Sequence, residues 1–243
     1  MKRGKKILAF LLIITMFLPF VMNIPAEAAE KSKQLDVLFT HDTHSHLNSF
    51  STIVDGEQKE VGGFAKLKTL IDERKKENPD TLILDGGDFS MGTLIQTVYD
   101  TEAAELRMLG YLGCDVSTLG NHEFDYRSKG LADMLTAAKD SGETVPSLVV
   151  CNVDWDSMEK NGLSEGQKQI QSAFENYGVK DYVVVQKGDV KIAVVGVFGV
   201  DALKCAPTCE LLFKDPVESV KKTVEETKKN EKVDMIACVS HSG

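Results

Sequence analysis

The amino-acid sequence predicts an α/β fold. Short apolar runs typical of buried strands alternate along the chain with segments of helical periodicity, which is the pattern of α/β proteins. Polar side chains follow several of these runs directly, at the strand ends where open α/β sheets bind ligands. The 243 residues are 42% hydrophobic, enough for one large domain, and no internal repeat or linker divides them. We therefore expect one ligand-binding α/β domain.

The first 28 residues have the pattern of a secretory signal peptide. Four basic residues precede an apolar run at 7–22, and the small-residue pattern A-x-A of a cleavage site ends at Ala28. The uninterrupted apolar part stops at Pro19, so it is shorter than the roughly 20 residues that a membrane-spanning helix needs. We expect export with cleavage near Ala28, membrane contact only during export, and a folded domain over 29–243.

The formal net charge of the chain is −9 at pH 7. Removing residues 1–28 takes away four basic residues and one acidic residue, so the mature protein would be more acidic still. This balance argues against a nucleic acid polymer as a partner, because such a protein has no basic surface on which to hold a polyanion. If the protein handles phosphate groups, metal ions should supply the positive charge.

The five cysteines are an odd number, which argues against a disulfide framework. Cys114, Cys151 and Cys238 lie in or beside apolar runs and are predicted to be buried small hydrophobic residues. Cys205 and Cys209 could pair outside the cell, and the sequence leaves that pairing open.

The first half of the mature chain alternates strands with helices. The expected strands are 35–40, 81–84 and 116–119. A loop over 48–63 precedes a helix that Pro79 limits. A second helix should start at a cap formed by Asp100 or Thr101 and stop at Gly113. The apolar stripes of the two helices are Phe64, Leu67, Leu70 and Ile71, and Ala103, Leu106, Leu109 and Tyr111.

The second half adds further strands and three helices. Gly142 closes the first of these helices. Ser164 and Gln167 have the spacing of a capping box ahead of the next helix. Asp215 and Pro216 open the last helix as its cap and first-turn proline. The expected strands are 147–151, 182–186, 190–197 and 235–240, of which the middle two form a hairpin, and 153–164 is expected to be a loop.

Polar side chains with metal-binding chemistry follow four of these strands. Asp42 and His44 are two residues apart in a segment expected to be extended, which would point both side chains the same way. Asp88 has two carboxylate oxygens that could bridge two metal ions. Asn121 offers a neutral oxygen and His241 an imidazole. Because no cysteine takes part, the donors suit zinc, manganese, iron or cobalt.

In order and separation, these residues resemble the motifs of the calcineurin-like metallophosphoesterases, and within them the secreted 5′-nucleotidase and UDP-sugar hydrolase branch. The motifs are Asp42-Thr43-His44, Gly87-Asp88, Gly120-Asn121-His122-Glu123-Phe124-Asp125 and Ser240-His241-Ser242-Gly243. The resemblance covers nearly the whole mature chain. It implies a four-layer α-β-β-α sandwich, incomplete at its C-terminal end, with a site for two divalent metal ions at the strand ends.

The resemblance also implies a role for each site residue. The implied ligands are Asp42, His44 and Asp88 for the first ion and Asp88, Asn121 and His241 for the second. His122 is then left to act on the substrate, with Asp125 as its partner about one helical turn away. Glu123 and Phe124 are expected to support the loop.

Some features depart from that family. His41 stands where an Asn commonly precedes the first metal-binding Asp. His41 and His46 could hydrogen-bond to metal ligands, but we expect both to be solvated. Asn152 is a further candidate at a strand end. The family's Gly-His-x-His or Gly-His-x-Gln motif, and the C-terminal domain that binds base and sugar, do not occur before Gly243. We therefore expect weaker metal binding and weak or absent activity from the chain as written.

The predicted function is that of a secreted, metal-dependent phosphoesterase that releases phosphate from nucleotides by metal-activated water, as a 5′-nucleotidase does. The expected substrate is a nucleotide or a nucleotide sugar. Two enzymatic alternatives remain open, a UDP-sugar pyrophosphatase and a 2′,3′-cyclic-nucleotide phosphodiesterase. A third alternative is an inactive fragment or an exported binding protein on the same scaffold.

Overall fold

A computed structural model describes residues 33–242, and the expected signal peptide lies outside these residues. The strands are β1 (Val37–Thr40), β2 (Phe50–Val54), β3 (Glu57–Val61), β4 (Leu82–Asp85), β5 (Val116–Ser117), β6 (Ser147–Leu148), β7 (Tyr182–Lys187), β8 (Val190–Phe198) and β9 (Met235–His241). The helices are α1 (Phe64–Glu77), α2 (Tyr99–Glu102), α3 (Ala104–Leu112), α4 (Arg127–Asp140), α5 (Trp155–Asn161), α6 (Glu165–Tyr177), α7 (Val200–Lys204) and α8 (Pro216–Asn230), with short 3₁₀ helices at Leu94–Val98 and His122–Phe124. Among the residues described, no helix has the length and apolar character needed to span a membrane.

Parallel strands dominate the two larger sheets. The first sheet has the order β1-β4-β5-β6 and is parallel throughout. The second has the order β7-β8-β9, in which β8 pairs antiparallel with β7 and parallel with β9. The hairpin predicted between β7 and β8 is therefore confirmed, and so is the α/β class.

The two sheets pack face to face. Leu82 and Leu84 of β4 meet Ile192 and Val194 of β8 in a core between the sheets. On the opposite face of the first sheet, Ile83 joins the core formed with α1, α3 and α4. Helix α8 packs against β8, and nearly all residues of β8 are buried, so both faces of this strand are covered. These contacts give the α-β-β-α layering that was expected.

The sheets are joined along one edge of the sandwich. Val149, just after β6, forms an isolated parallel bridge with the segment before β7, and the Cys151 amide donates to the carbonyl oxygen of Gly196 at 2.8 Å. Gly196 has no room for a side chain, since a Cβ there would lie 2.0 Å from the Val149 carbonyl oxygen. At the edge of the first sheet formed by β1, Phe39 is 53% exposed.

Two segments expected to be loops contain regular structure. Residues 48–63 hold the antiparallel pair β2 and β3, whose turn places Asp55 and Gly56 at positive φ. Residues 153–164 hold α5, which begins at the cap residue Asp154. Most residues of β2 and β3 are exposed on both faces, and α5 has only one buried residue, so hydrophobic periodicity gave no signal for either.

The second predicted helix is interrupted. Ala103, with a φ of 47°, separates α2 from α3, so the cap predicted at Asp100 or Thr101 is wrong. Gly113 ends α3 as predicted. Tyr111, expected on the apolar face, is 64% exposed. Because Ala103 is fully buried, tertiary packing and not helix propensity decides where the break falls.

The predicted caps of the later helices are confirmed. Ser164 and Gln167 form the capping box of α6. Asp215 caps α8 by accepting a hydrogen bond from the Glu218 amide at 2.9 Å, and Pro216 occupies the first turn.

Candidate active site

A cleft of about 570 Å³ lies at the carboxyl ends of β1, β4 and β9. Its lining includes every residue that the sequence predicted as a metal ligand, together with His122. The predicted ligands are Asp42, His44, Asp88, Asn121 and His241. The strand ends therefore bring together side chains that are far apart in the sequence.

Asp42 and His44 reach the cleft from a tight turn, not from the extended segment that was expected. Their φ angles are 49° and 45°. The turn is held by two hydrogen bonds of 3.1 Å, from the Asp42 amide to the Gly87 carbonyl oxygen and from the His44 amide to the Asp88 carbonyl oxygen. It still brings the two side chains close, with His44 Nε2 3.8 Å from Asp42 Oδ1.

Asp88 lies at the centre of the cleft and is 3% exposed. Its Oδ1 accepts a hydrogen bond from the His122 amide at 2.9 Å, and its Oδ2 lies 3.3 Å from His241 Nε2. Burial raises the pKa of this carboxyl group, but the hydrogen bonds from His241 and His122 outweigh it, so the pKa is below its ordinary value. Gly120 makes the arrangement possible, because a Cβ there would lie 2.1 Å from Asp88 Oδ1.

His241 is held through both ring nitrogens. Its Nδ1 lies 2.9 Å from the Gly86 carbonyl oxygen and its Nε2 lies 3.2 Å from Asn121 Oδ1. Burial lowers the pKa of the imidazole, but the hydrogen bond and the charge of Asp88 outweigh it and raise the pKa to about 9. Because His241 ends β9 while its partners follow β4 and β5, it connects the two sheets at the cleft.

His122 and Asp125 form the pair that the sequence predicted. His122 Nδ1 lies 2.7 Å from Asp125 Oδ2, and the His122 side chain is 36% exposed. Burial lowers the pKa of His122, but the hydrogen bond to Asp125 and the charge of Asp88 raise it above its ordinary value. Since Asp125 occupies Nδ1, the ring nitrogen left for other contacts is Nε2.

Within residues 33–242, two groups of donor atoms are close enough to hold metal ions. The groups are His44, Asp88 and His122, and Asp42, Asp88 and His241, with the donor atoms of each group within 4.8 Å of one another. Asp88 belongs to both groups, as a bridging carboxylate would. The first group contains His122 where the sequence led us to expect Asp42. Nitrogen and oxygen donors without sulfur fit zinc, manganese, iron or cobalt.

The other polar candidates differ in their positions. His41 lines the cleft and is exposed, and His46 is exposed as well. Asn152 is fully buried and is not part of the cleft wall. Its side chain donates to the Phe198 carbonyl oxygen at 2.8 Å and accepts from the Phe198 amide at 3.0 Å. Asn152 therefore has a structural role, tying the segment after β6 to the end of β8.

Part of the cleft wall was not predicted. The additional wall residues are Phe39, Gly86, Cys205, Ser240 and Ser242. Cys205 follows α7, a helix of five residues that is too short to produce a hydrophobic repeat. Phe39 lies in β1, where the sequence indicates only an apolar strand residue.

The cysteines are free thiols. Cys114 is buried and Cys151 is partly buried, as small hydrophobic residues would be. Cys238 is exposed, so the prediction of its burial was wrong. Cys205 is exposed and Cys209 is partly buried.

Comparison with known proteins gives the family. Residues 35–242 match the calcineurin-like phosphoesterase family. The chain is 28% identical to an apyrase of Tabanus yao over 98% of this chain and 40% of the relative. It is 31% identical to the 5′-nucleotidase of Rattus norvegicus over 90% of this chain and 36% of the relative. A crystal structure of a 5′-nucleotidase precursor from Thermus thermophilus is similar with a TM-score of 0.66 at 29% identity, covering 86% of this chain and 37% of that one.

The chain spans less than half the length of these relatives. Within that span, the family match covers both sheets, the helices around them and the whole cleft. The resemblance seen in the sequence motifs is thereby confirmed. The chain belongs to the calcineurin-like phosphoesterase family.

Proposed function

We propose that this chain is the metal-binding, catalytic region of an exported phosphoesterase that hydrolyses the phosphate ester of nucleotides, as a 5′-nucleotidase does. The observation that carries the proposal is the position of Asp88, whose carboxylate belongs to both groups of metal donors. The similarity to an apyrase and a 5′-nucleotidase supports nucleotides as the substrate class. The pattern of residues 1–28 supports export.

The proposed metal ligands are the residues that the family motifs indicated. Asp42, His44 and Asp88 would hold one divalent ion, and Asp88, Asn121 and His241 the other. When bound, such ions supply positive charge for a phosphate group and lower the pKa of a water molecule toward about 7. The protein positions the donors for this, because main-chain hydrogen bonds hold the turn at Asp42, and His241 Nδ1 donates to the Gly86 carbonyl oxygen at 2.9 Å, which leaves Nε2 for an ion.

His122 is proposed to act on the substrate. Its side chain is 36% exposed, whereas that of His241 is 8% exposed, so His122 is the more accessible of these two imidazoles. The Asp125 carboxylate holds Nδ1 and favours the protonated ring. Nε2 can then donate a hydrogen bond to a phosphoryl oxygen or a proton to the leaving oxygen.

Calorimetric titration with Mn²⁺ tests the metal site. Asp88→Ala should lose most of the binding, because Asp88 is shared by both donor groups. Asp140→Ala, which removes an exposed carboxylate at the end of α4, is the matched control and should bind like the wild type. Equal affinity in wild type and Asp88→Ala would contradict the dinuclear assignment.

A substrate panel separates the proposed activity from its alternatives. AMP, UDP-glucose and 2′,3′-cyclic AMP are given to the full-length protein with Mn²⁺ or Zn²⁺, and the released products are measured. We expect phosphate from AMP. Cleavage of UDP-glucose or of the cyclic nucleotide alone would favour the pyrophosphatase or the phosphodiesterase. No product with any divalent ion would favour a binding protein on the same scaffold.

A further inference from the structure

Glu123 lies beneath the cleft without lining it. Its side chain is fully buried, and its carboxylate accepts four hydrogen bonds. Oε2 accepts from the amides of Gly120 at 2.6 Å and Asp88 at 2.9 Å. Oε1 accepts from the amide of Ser90 at 3.1 Å and from its hydroxyl at 2.8 Å. All these donors belong to the loops that follow β4 and β5.

These two loops carry central groups of the cleft, Asp88 on one and Asn121 on the other. They touch along their backbones, since a Cβ at Gly87 would lie 2.5 Å from the Gly120 amide nitrogen. Asp88 has a φ of 53°, a left-handed conformation that a non-glycine residue keeps only when its surroundings hold it. The hydrogen bond from the Asp88 amide to Glu123 is one of the contacts that hold it there.

We propose that Glu123 is a positioning residue that fixes Asp88 relative to Asn121 and His122. The inference rests on the proposed function, in which those three residues meet the metal ions and the substrate. A carboxylate suits the role because both of its oxygens only accept hydrogen bonds when it is ionised. A glutamine would turn its NH₂ group either toward the amides of Gly120 and Asp88 or toward that of Ser90, so the N–H donors on that side would lose their acceptor.

Glu123→Gln tests the proposal. The first readout is amide hydrogen exchange, which is measured by NMR on the metal-free protein. Exchange should become about tenfold faster at Asp88 and Gly120 if the NH₂ group replaces Oε2, or at Ser90 if it replaces Oε1, because those amides lose their acceptor. Exchange at Val194, in the middle of β8, should stay as in the wild type. When the NH₂ group replaces Oε2, the Gly120 amide proton should also move upfield, since it loses a short hydrogen bond.

The second readout is Mn²⁺ affinity by calorimetry. It should fall about 10- to 100-fold in Glu123→Gln, the usual effect of removing a group that orients metal ligands. Ser90→Ala removes one of the four hydrogen bonds and should have a smaller effect. Ile170→Ala, in the core at α6, is the stability control. It should lower the melting temperature and leave both Mn²⁺ affinity and the three amides unchanged.

The outcomes separate this inference from the proposed function. Wild-type exchange rates or wild-type Mn²⁺ affinity in Glu123→Gln would overturn the positioning role, as would an equal loss of affinity in Ile170→Ala. Absence of Mn²⁺ binding by the wild-type chain would instead overturn the proposed metal site. In that case the exchange rates of the three amides alone decide whether Glu123 fixes the two loops.

Discussion

Asp125 contacts His122 at Nδ1, with a distance of 2.7 Å to Asp125 Oδ2. Asp125→Asn keeps the shape of the side chain and removes its charge, so the pKa of His122 should fall. We expect kcat for AMP to drop about 100-fold, the size of a typical general acid contribution. The limb of the pH profile that reports loss of the His122 proton should move to lower pH, because the charge that raised its pKa is gone.

The control for this prediction is Asp140→Asn on the exposed end of α4, which should leave kcat unchanged. Mn²⁺ affinity should be the same in Asp125→Asn as in the wild type, since neither Asp125 nor its partner His122 is a proposed metal ligand. A loss of affinity would instead favour His122 as a ligand in the group with His44 and Asp88. Wild-type kcat in Asp125→Asn would remove Asp125 from the proposed mechanism.

The thiols should differ in their rates of alkylation. Cys205 and Cys238 are both exposed, but burial raises the pKa of the Cys238 thiol, so Cys205 should react first with iodoacetamide at pH 8. Burial raises the pKa of Cys114 well above its ordinary value, and raises the pKa of Cys151 and of Cys209 to about 11, so these three should react slowly or only on unfolding. Peptide mass spectrometry of the labelled protein measures the order. Labelling of Cys114 in the native protein would contradict its burial.

At the level of single residues, the sequence identified the side chains of the cleft better than their surroundings. His122 and Asp125 are adjacent because three residues make about one helical turn, and the spacing alone predicts that contact. The turn at Asp42 and His44 was not predictable in the same way. Its left-handed angles depend on backbone hydrogen bonds to a loop more than 40 residues further along the chain.

The N-terminal cap of α8 is a feature of one helix that can be tested by itself. Asp215→Ala removes the acceptor for the Glu218 amide and should lower the free energy of unfolding by about 1 kcal/mol. Urea unfolding followed by circular dichroism measures the change. Glu225→Ala, at an exposed position of the same helix, should change the free energy of unfolding by less than about 0.5 kcal/mol. A similar loss in both variants would show that the effect is not due to the cap.

The sequence predicts an element well when the element carries its own local signal. The capping box of Ser164 and Gln167 is such a signal, and α6 begins where it indicates. The break at Ala103 has no local signal, because it arises from burial of that residue in the core. The strands β5 and β6 are shorter than the apolar runs that contain them, since a buried apolar residue need not pair in a sheet.

The whole sandwich depends on the close approach of its sheets at Gly196. Gly196→Ala places a Cβ 2.0 Å from the Val149 carbonyl oxygen and 2.3 Å from its carbonyl carbon, and neither backbone atom can move freely. We expect a loss of about 3 kcal/mol in the free energy of unfolding, at the upper end for an overpacked core. Gly142→Ala is the comparison, because it meets open space and is strained only by its φ of 68°. Gly142→Ala should lower the free energy of unfolding by about 1 kcal/mol.

Thermal or urea unfolding of the two glycine variants measures this difference. Equal losses of unfolding free energy in Gly196→Ala and Gly142→Ala would mean that the backbones of Gly196 and Val149 can move apart at no further cost in free energy. The close contact at Gly196 itself was not predictable, since the sequence shows only a glycine within an apolar strand.

Export of the whole protein should leave a defined N-terminus. Cleavage after the A-x-A pattern predicts a mature protein that begins at Ala29. Mass spectrometry of the protein recovered outside the producing cells measures the terminus. Replacement of Ala28 by a bulky residue such as Phe should block the processing, because the cleavage site requires small residues. An exported protein that still begins at Met1 would contradict the prediction.

The contacts of His241 have a consequence for when the metal ions can be acquired. Its ring meets Gly86 and Asn121, which precede it by 155 and 120 residues, so the cleft cannot form until nearly the whole described chain is available to fold. Contacts of such long separation form late and slowly in folding. If the chain crosses the membrane unfolded, the cleft is completed only on the far side. The supply of ions in that compartment, and not in the cytoplasm, then selects which metal the protein carries.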